Sequence, residues 1–166
     1  MSVFADIVTA ATTNGYVTQN PYTMLCWAAC SVSILQTKNI SSSVMEYTTT
    51  VLNYFADVGI VPDSIVSGFH TFNSKITASQ SGVPFSFMQI QSYVNVNKPI
   101  MALVNWSIGG NHAVVICGYD ISNYNIAIMD PMIGWSYPNV ATFTASYKSG
   151  YATTYTGKWY NSIYIN

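Results

Sequence analysis

The sequence predicts an α+β fold in which helices come first and β-strands second. Patterns typical of helix starts occur in the first part of the chain, and after Pro99 short apolar runs rich in β-branched residues replace them. Helices and strands that are segregated along a chain pack as separate layers rather than as alternating βαβ units. A chain of 166 residues is long enough for one domain with a real core. We therefore expect a single domain over 1–166, with a helical lobe at about 20–98, a β lobe at about 99–166 and a cleft between them.

The helical lobe is predicted to begin with a helix at Cys26–Gln36, where an apolar run follows the cysteine. A second helix follows Ser43, because Ser43 and Glu46 have the spacing of a capping box, in which each side chain binds the other residue's backbone N–H. A third, short helix is expected after Pro62-Asp63.

A second capping box, Ser86 with Gln89, predicts a fourth helix that ends before Pro99. Beyond Pro99 the apolar runs are short and are separated by Gly, Asn, Asp and Pro, which is typical of strands joined by turns. The predicted strands are Ile100–Trp106, His112–Tyr119, Tyr124–Asp130, Val140–Ala145 and Trp159–Ile165.

Charge and hydropathy exclude several classes of partner. The chain has five lysines, no arginine and six acidic residues, for a net charge of −1. Proteins that bind nucleic acid carry a basic patch or stripe, and this sequence has none, so we expect neither nucleic acid nor an anionic membrane surface as a partner. Half the residues are hydrophobic, but no uncharged apolar run is long enough to span a bilayer, so we expect no membrane insertion.

The composition favours a secreted protein. Charged residues make up only 7% of the chain, and Thr, Ser, Asn and Tyr supply the polar surface, which is often seen in extracellular proteins. The first residues, Met1–Asp6, have neither a basic region nor an apolar signal core. We expect a protein that is secreted or delivered to a host cell without such a signal, with a cytoplasmic location as the alternative.

Cys26 is the first candidate for chemistry. It precedes Trp27 at the predicted start of a buried helix, where free N–H donors and a partial positive charge favour a thiolate over a thiol. The residues alone leave two interpretations open, a nucleophile or a small core residue. Three cysteines are an odd number, which argues against a disulfide framework. Cys30, one helical turn further on, and Cys117, in an apolar run, are interpreted as buried packing residues.

His112 and Asp130 are candidates to act with a cysteine nucleophile. His112 follows Gly109-Gly110 and begins an apolar strand, which predicts an imidazole at a strand end facing the cleft. Asp130 ends the next strand and can accept an imidazole N–H, which fixes the ring and stabilises the imidazolium. Gln19, seven residues before Cys26, can donate its amide to an oxyanion beside the Cys26 backbone N–H. The alternatives are a core histidine, a turn-forming Asp-Pro pair and a polar loop residue.

Metal and cofactor chemistry have less support. A structural zinc site takes four ligands, whereas three cysteines and two histidines are spread along this chain without Cys-x-x-Cys spacing, so we expect no metal site. His70, the second histidine, is interpreted as a surface or structural residue. The sequence has no glycine-rich phosphate loop and no Gly-x-Ser-x-Gly motif, and we expect no cofactor.

Together these motifs resemble those of papain-like cysteine peptidases. The sequence is most similar to their compact bacterial branch, the C39-like peptidases and AvrRpt2-type effector proteases. Members of that branch show Gln, a short spacer and Cys-Trp-Ala-Ala, then Lys/Arg-Pro, Gly-Gly-x-His-Ala-Val-Val, Gly-Tyr-Asp and Asp-Pro in that order. The matching segments here are Gln19–Ala29, Lys98–Ile100, Gly109–Val115, Gly118–Asp120 and Asp130–Pro131. The resemblance covers about residues 19–131 and rests on the order and spacing of the set.

The resemblance implies a papain-like fold with an antiparallel sheet or half-barrel in the second lobe. It also implies a thiol endopeptidase that hydrolyses bonds of a peptide or protein substrate. By residue, it makes Cys26 the nucleophile, His112 the general base and then acid, Asp130 the orienting third member of the triad and Gln19 the oxyanion donor. The same resemblance suggests a bacterial effector or toxin protease.

Two alternatives keep this fold. An acyl-thioester at the same cysteine can pass to an amine or another thiol, which would make the protein an acyl-transferring or deamidating toxin. A catalytically silent papain-like shell would serve in binding or self-assembly, and low charge with thirteen tyrosines is compatible with self-association. The oligomeric state therefore stays open.

Overall fold

The computed structural model describes residues 2–4, 16–148 and 155–166, with residues 2–4 described as backbone only. The helices in this part of the chain are α1 (Cys26–Gln36), α2 (Val44–Leu52), α3 (Pro62–Phe72), α4 (Phe87–Val94) and α5 (Val140–Ser146). The strands are β1 (Ser2–Phe4), β2 (Ala78–Gln80), β3 (Ile100–Trp106), β4 (Asn111–Asp120), β5 (Asn125–Asp130), β6 (Gly134–Ser136) and β7 (Gly157–Ile165). None of the helices described is both long and apolar enough to cross a bilayer.

The strands form one antiparallel sheet in the order β2-β7-β3-β4-β5-β6. β4 has neighbours on both edges. On one edge, its residues 115–120 pair with β5. On the other edge, its residues 111–116 pair with β3 and its residues 118–120 pair with β1. Helices α1–α4 precede β3, so the predicted α+β fold with most helices first and most strands second is confirmed. The two short strands β1 and β2 are exceptions, because they come from the first half of the chain and join the same sheet. The single-domain boundaries and the division into lobes stay a prediction.

Both predicted capping boxes form. The Glu46 N–H donates to Ser43 Oγ at 3.0 Å at the start of α2, and the Gln89 N–H donates to Ser86 Oγ at 3.3 Å at the start of α4. In each box the side chain of the third helical residue accepts the backbone N–H of the cap in return. The helix that begins at Pro62 has eleven residues and is longer than the short helix expected there.

The strand predicted at Val140–Ala145 is wrong, because these residues form α5. The β-branched residues in this stretch favour a strand by propensity. Asn139 outweighs that preference, since its side chain accepts the Ala141 N–H at 3.0 Å and so caps a helix. The helix also buries Phe143 completely, and this tertiary contact is invisible to a local pattern.

α1 is buried on nearly all sides. Nine of its eleven residues, from Trp27 to Leu35, are buried, as expected for a helix inside a core rather than on its surface. It packs against β4, where Cys30 Sγ donates to the Ala113 carbonyl oxygen at 3.2 Å. This packing fixes the beginning of α1, and with it Cys26, relative to β4.

The turn between β3 and β4 sets the position of His112. Gly109 and Gly110 have φ values of +91° and +86°, a region that glycine adopts at no steric cost. β4 then begins at Asn111, and His112 pairs with Val104 of β3. His112 is therefore the second residue of its strand, at the end of the sheet nearest this turn.

Candidate active site

The start of α1 at Cys26 is open to an anion. The first backbone hydrogen bond of the helix runs from the Ala29 N–H to the Leu25 carbonyl oxygen at 3.0 Å. The N–H groups of Cys26, Trp27 and Ala28 therefore have no acceptor within the helix, and no side chain in the described part of the molecule caps them. Free N–H donors and the helix dipole together favour negative charge at this point.

His112 and Asp130 meet because of the register between β4 and β5. Val115 of β4 pairs with Met129 of β5. One step further along β5, Asp130 therefore lies opposite the residue of β4 that is two positions after His112. Residues two apart in a strand share a face, which brings the two side chains together. His112 Nε2 lies 2.9 Å from Asp130 Oδ1, and the exposed fractions of the two side chains are 4% and 0%. The pairing that the sequence predicts is present.

Cys26 lies near the same imidazole. Its side chain lines the same cavity as His112 and, with Asp130, is one of the two groups whose interactions raise the pKa of that imidazole. Because Nε2 faces the carboxylate, Nδ1 is the nitrogen left for the sulfur. Burial lowers the pKa of His112, but the hydrogen bond of Asp130 and the charges of Asp130 and Cys26 outweigh it and raise the pKa to about 10. An imidazole that keeps its proton beside a sulfur stabilises a thiolate.

Asp130 is held as a buried carboxylate by three donors. Its Oδ1 accepts from His112 and from the Met132 backbone N–H at 2.8 Å, and its Oδ2 accepts from the Tyr147 hydroxyl at 2.7 Å. Burial raises the pKa of Asp130, but the hydrogen bond and charge of His112 and the other two donors bring it below its usual value. The carboxylate is therefore ionised at neutral pH and fixes the orientation of the imidazole.

An aromatic stack covers the histidine–aspartate pair. The Trp106 ring stacks on His112 with centroids 5.8 Å apart and an interplanar angle of 23°, and on Tyr147 at 6.2 Å and 22°. Burial and the Asp130 charge raise the pKa of Tyr147, so its hydroxyl remains a donor. Sequence analysis missed Tyr147, because the segment around it carries no motif. Only the fold brings it to Asp130.

Gln19 is buried and bonds to the residue that follows Asp130, but its amide nitrogen is engaged elsewhere. The residue is 1% exposed, and its backbone N–H donates to the Pro131 carbonyl oxygen at 3.0 Å, directly after Asp130. Its Nε2 donates to the carbonyl oxygens of Tyr22 at 3.3 Å and Thr23 at 3.1 Å. Its Oε1 is buried and has no partner in the described part of the chain. The role of oxyanion donor therefore stays a prediction.

Asp57 is a second residue that sequence analysis missed. Its Oδ2 accepts from the Thr23 N–H at 2.9 Å and the Thr23 hydroxyl at 3.0 Å, and its Oδ1 accepts from the Met24 N–H at 2.8 Å. The carboxylate thus holds the segment immediately before Cys26 through these donors, while Gln19 Nε2 binds the Thr23 carbonyl oxygen. An exposed carboxylate in a loop between helices gives no sequence signal of this contact.

A cavity of about 420 Å³ contains Cys26 and His112. The segment before α1, the loop before α3, β3 and the start of β4 supply most of its walls, and Met132 and Tyr160 complete them. A cavity of this size is within the range of about 300–1,000 Å³ typical of ligand sites. The predicted cleft is therefore present, with the thiol and the imidazole on its surface.

The remaining sulfur and imidazole groups lie outside this arrangement. Cys30 and Cys117 are buried, as the sequence predicts, and burial raises the pKa of both thiols, with the charges of Cys26 and Asp130 adding to the effect at Cys30. His70 is exposed in the last turn of α3. The described residues contain no cluster of three or more His, Cys, Asp or Glu side chains suited to a metal ion.

The fold is similar to that of solved peptidase structures. The peptidase domain of Streptococcus ComA, a bi-functional ABC transporter involved in a quorum sensing pathway, has a TM-score of 0.64 and 17% identity over 90% of this chain and 95% of that one. A double glycine motif protease from an AMS/PCAT transporter, solved with the leader peptide, has a TM-score of 0.54 and 14% identity over 87% of this chain and 90% of that one. UfSP from C. elegans has a TM-score of 0.51 and 13% identity over 99% of this chain and 34% of that one. At these identities the likeness shows the fold, and the predicted papain-like fold is confirmed.

Family membership rests on the sequence itself. The sequence profile of the Peptidase_C39 like family matches residues 13–160, which is most of the chain. Among curated proteins none is significantly similar to it. The resemblance to the C39-like branch of papain-like peptidases is confirmed by this match. The chain therefore belongs to the Peptidase_C39 like family, and its family and fold support the activity of a cysteine peptidase.

Proposed function

We propose that this protein is a cysteine endopeptidase that acts through Cys26, His112 and Asp130. The observation that carries the proposal is that these three side chains meet at one site. Cys26 stands at an uncapped helix start in the cavity that His112 also lines, and His112 Nε2 lies 2.9 Å from the fully buried Asp130 carboxylate. A nucleophile, a base within hydrogen-bond reach and a third group that orients the base form the general pattern of nucleophilic catalysis.

The reaction follows from this geometry. The Cys26 thiolate attacks the scissile carbonyl carbon, and the carbonyl electrons move to the oxygen. The protonated His112 gives its proton to the amine as the C–N bond breaks, which leaves an acyl-thioester on Cys26. The neutral imidazole then takes a proton from a water molecule, whose oxygen attacks the thioester. Breakage of the C–S bond releases the acid and restores the thiolate and imidazolium pair.

The negative oxygen formed in each step needs donors. The backbone N–H of Cys26 is free of helical partners and lies at the positive end of α1, so it is the first donor that we propose. Gln19 becomes the second if its amide nitrogen leaves the carbonyl oxygens of Tyr22 and Thr23. Its buried Oε1 without a partner in the described residues is consistent with an amide that changes its bonding when substrate binds.

The free edge of β4 supports a peptide as the substrate. The Trp106 N–H donates to the Gly110 carbonyl, so the backbone groups of Asn111, one residue further, point away from β3. Among the described strands, β5 begins to pair with β4 only at Val115. As far as residues 2–4, 16–148 and 155–166 show, the edge next to His112 is therefore open at Asn111, and an extended peptide can pair with such an edge. One structural neighbour was solved with a leader peptide, which supports the same class of substrate.

The biological setting that we propose is a bacterial protease that is secreted or delivered to a host cell. The support is compositional, since only 7% of the residues are charged. Detection of the native protein in the culture medium or in a host-cell fraction, rather than in the producing cell, tests this setting.

Selective alkylation tests the nucleophile. An ordinary thiol with a pKa of about 8.5 is less than about 1% ionised at about pH 6. We expect iodoacetamide at that pH to modify Cys26 roughly a hundredfold faster than Cys30 or Cys117, as measured by mass spectrometry of the intact, folded protein. Equal and slow modification of all three thiols would contradict the proposal.

Digestion of a peptide mixture tests the reaction. We expect new peptide termini in the presence of the protein, none with Cys26→Ala and undiminished cleavage with the matched control Cys117→Ala. A gain in mass without a break in the peptide chain would favour deamidation or acyl transfer instead. A Cys26→Ala protein with its full biological effect would favour a silent binding shell.

A further inference from the structure

We propose that a second cavity, between α5 and the segment that begins in β6, binds a small organic anion and is connected to Asp130 through Tyr147. This α5 cavity has a volume of about 440 Å³, which is within the range of about 300–1,000 Å³ typical of ligand sites. None of the described residues that line it also lines the cavity that contains Cys26 and His112. Its occupation can therefore be measured without any peptidase activity.

Two aromatic rings give the α5 cavity an apolar surface. Phe143 is fully buried and Tyr147 is 4% exposed, so the core fixes both side chains. Their rings pack edge to face with centroids 5.0 Å apart, and Pro138 adds further apolar surface to the lining. A ligand with an apolar body can cover these groups, which is favourable because apolar area leaves water.

Three hydroxyl groups supply the polar part of the lining. Thr142 and Ser146 lie one turn apart in α5 and share a face of the helix, and Ser136 ends β6. The Ser136 Oγ is buried and has no hydrogen-bond partner in the described part of the molecule. A buried hydroxyl without a partner is unfavourable. A polar ligand atom in the cavity can remove this cost, so the Ser136 hydroxyl is the feature that points to a ligand.

The charge of the lining decides the sign of the ligand. Lys148 is exposed and is the one charged side chain among the described residues that line the α5 cavity. It forms no ion pair with another described residue. Asp130 does not line this cavity, and both of its oxygens already accept hydrogen bonds. An ammonium and hydroxyl donors without a carboxylate favour a ligand that carries a carboxylate or phosphate group, because such a group pairs with the cation and accepts several hydrogen bonds.

Tyr147 connects the α5 cavity with the proposed active site. Its ring lines the cavity, and its hydroxyl donates to Asp130 Oδ2 at 2.7 Å. Burial and the Asp130 charge raise the pKa of Tyr147, and the nearby Ser136 side chain opposes that rise. A ligand that bonds to Ser136 and packs on Tyr147 therefore restricts the residue that donates to Asp130, and such a restriction couples the two sites.

Titration of the full chain with benzoate, phenyl phosphate and benzyl alcohol, followed by ligand-observed NMR, tests the ligand class. We expect benzoate or phenyl phosphate to bind at least about tenfold more tightly than the neutral benzyl alcohol. Lys148→Gln should weaken binding of the anion at least about fivefold, whereas the control Lys75→Gln, which alters an exposed lysine outside both linings, should not. No binding of either anion, equal binding of the neutral compound or undiminished binding to Lys148→Gln would overturn the site.

Ser136→Ala tests the buried hydroxyl. Because this hydroxyl has no partner in the described residues, its removal should leave the Tm of the unliganded protein equal or higher. The affinity for the anion should nevertheless fall at least about threefold, and an affinity equal to that of the wild type would overturn the role of Ser136.

Alkylation of Cys26 tests the connection through Tyr147. Saturating benzoate should change the rate of alkylation at about pH 6 at least about twofold in the wild type. The same concentration should have a smaller effect on Lys148→Gln, which excludes a direct block of the cavity that contains Cys26. An unchanged rate in the wild type, or an equal change in the variant, would overturn the connection. Slow alkylation of Cys26 without any ligand would instead contradict the proposed peptidase function.

Discussion

Tyr147→Phe removes one oxygen atom from the buried network around Asp130. The Tyr147 hydroxyl donates to Asp130 Oδ2 at 2.7 Å, while Oδ1 accepts from His112 and Met132. Phenylalanine keeps the ring and its stacking on Trp106. One oxygen of a fully buried carboxylate then loses its donor in the described structure, and nothing else is altered.

The magnitude follows from the kind of hydrogen bond. A hydrogen bond to a charged group contributes about 1.5–3 kcal/mol, so the variant should lose roughly this much free energy of unfolding at neutral pH. For a protein of this size the expected fall in Tm is roughly 3–12 °C. The folded pKa of Asp130 is lowered, so its contribution to stability is present above the unfolded pKa of about 3.9 and is lost as pH falls through the folded value. We therefore expect the difference between wild type and variant to shrink at acid pH.

Urea unfolding of the two proteins at neutral and acid pH measures this effect, with Tyr137→Phe as the control. Tyr137 is 57% exposed, and loss of its hydroxyl should change the free energy of unfolding by less than about 0.5 kcal/mol. Because Tyr147 does not line the cavity that contains Cys26, the variant should lower kcat more than it changes KM. Equal stability of Tyr147→Phe and wild type at neutral pH would refute the network, as would a loss of stability that is the same at all pH values.

Three further perturbations probe other parts of the structure. Asp57→Asn should slow the alkylation of Cys26 several-fold, because the segment before α1 loses its carboxylate acceptor, whereas the control Asp120→Asn, which alters a turn outside the cavity, should not change it. The pKa of His112 in the folded protein is raised to about 10. The stability that its protonation contributes is therefore fully present below the unfolded pKa of about 6.5 and is lost as pH rises through about 10. The free energy of unfolding should fall over that interval, and a His112→Gln protein should show a smaller fall. Gly157→Ala should cost about 1–3 kcal/mol of stability, visible as a lower Tm, because the added methyl overlaps a valine of β3.

The sequence predicts those parts of the structure that depend on neighbours along the chain. The helix at Cys26–Gln36 has the predicted bounds, and Ser43 and Ser86 cap helices as their spacing indicates. The approximate positions of His112 and Asp130 also follow from local patterns, a glycine turn before a strand and an aspartate at a strand end. Their contact requires in addition the register of β4 and β5, which the order of motifs suggests only through the resemblance to a family.

The parts that could not be predicted depend on contacts between distant residues. Tyr147 reaches Asp130 from the segment after α5, and Asp57 reaches Thr23 and Met24 from the loop after α2. Neither contact has a fixed separation along the chain, so no spacing reveals it. The error at α5 has the same cause, since the cap at Asn139 and a buried phenylalanine decide between helix and strand there.

Cys26 and Cys30 show that the proposed reactivity belongs to a position in the fold rather than to the thiol. The two residues lie one turn apart in the same helix, and both are free cysteines. Cys30 is sealed among buried residues, its Sγ donates to the Ala113 carbonyl, and burial together with the charges of Cys26 and Asp130 raises its pKa. Cys26 is partly exposed, stands at the uncapped helix start and lines the same cavity as His112. A shift of α1 by one turn would exchange these surroundings, so the packing of α1 on β4 that Cys30 helps to fix is itself a condition for the chemistry that we propose at Cys26.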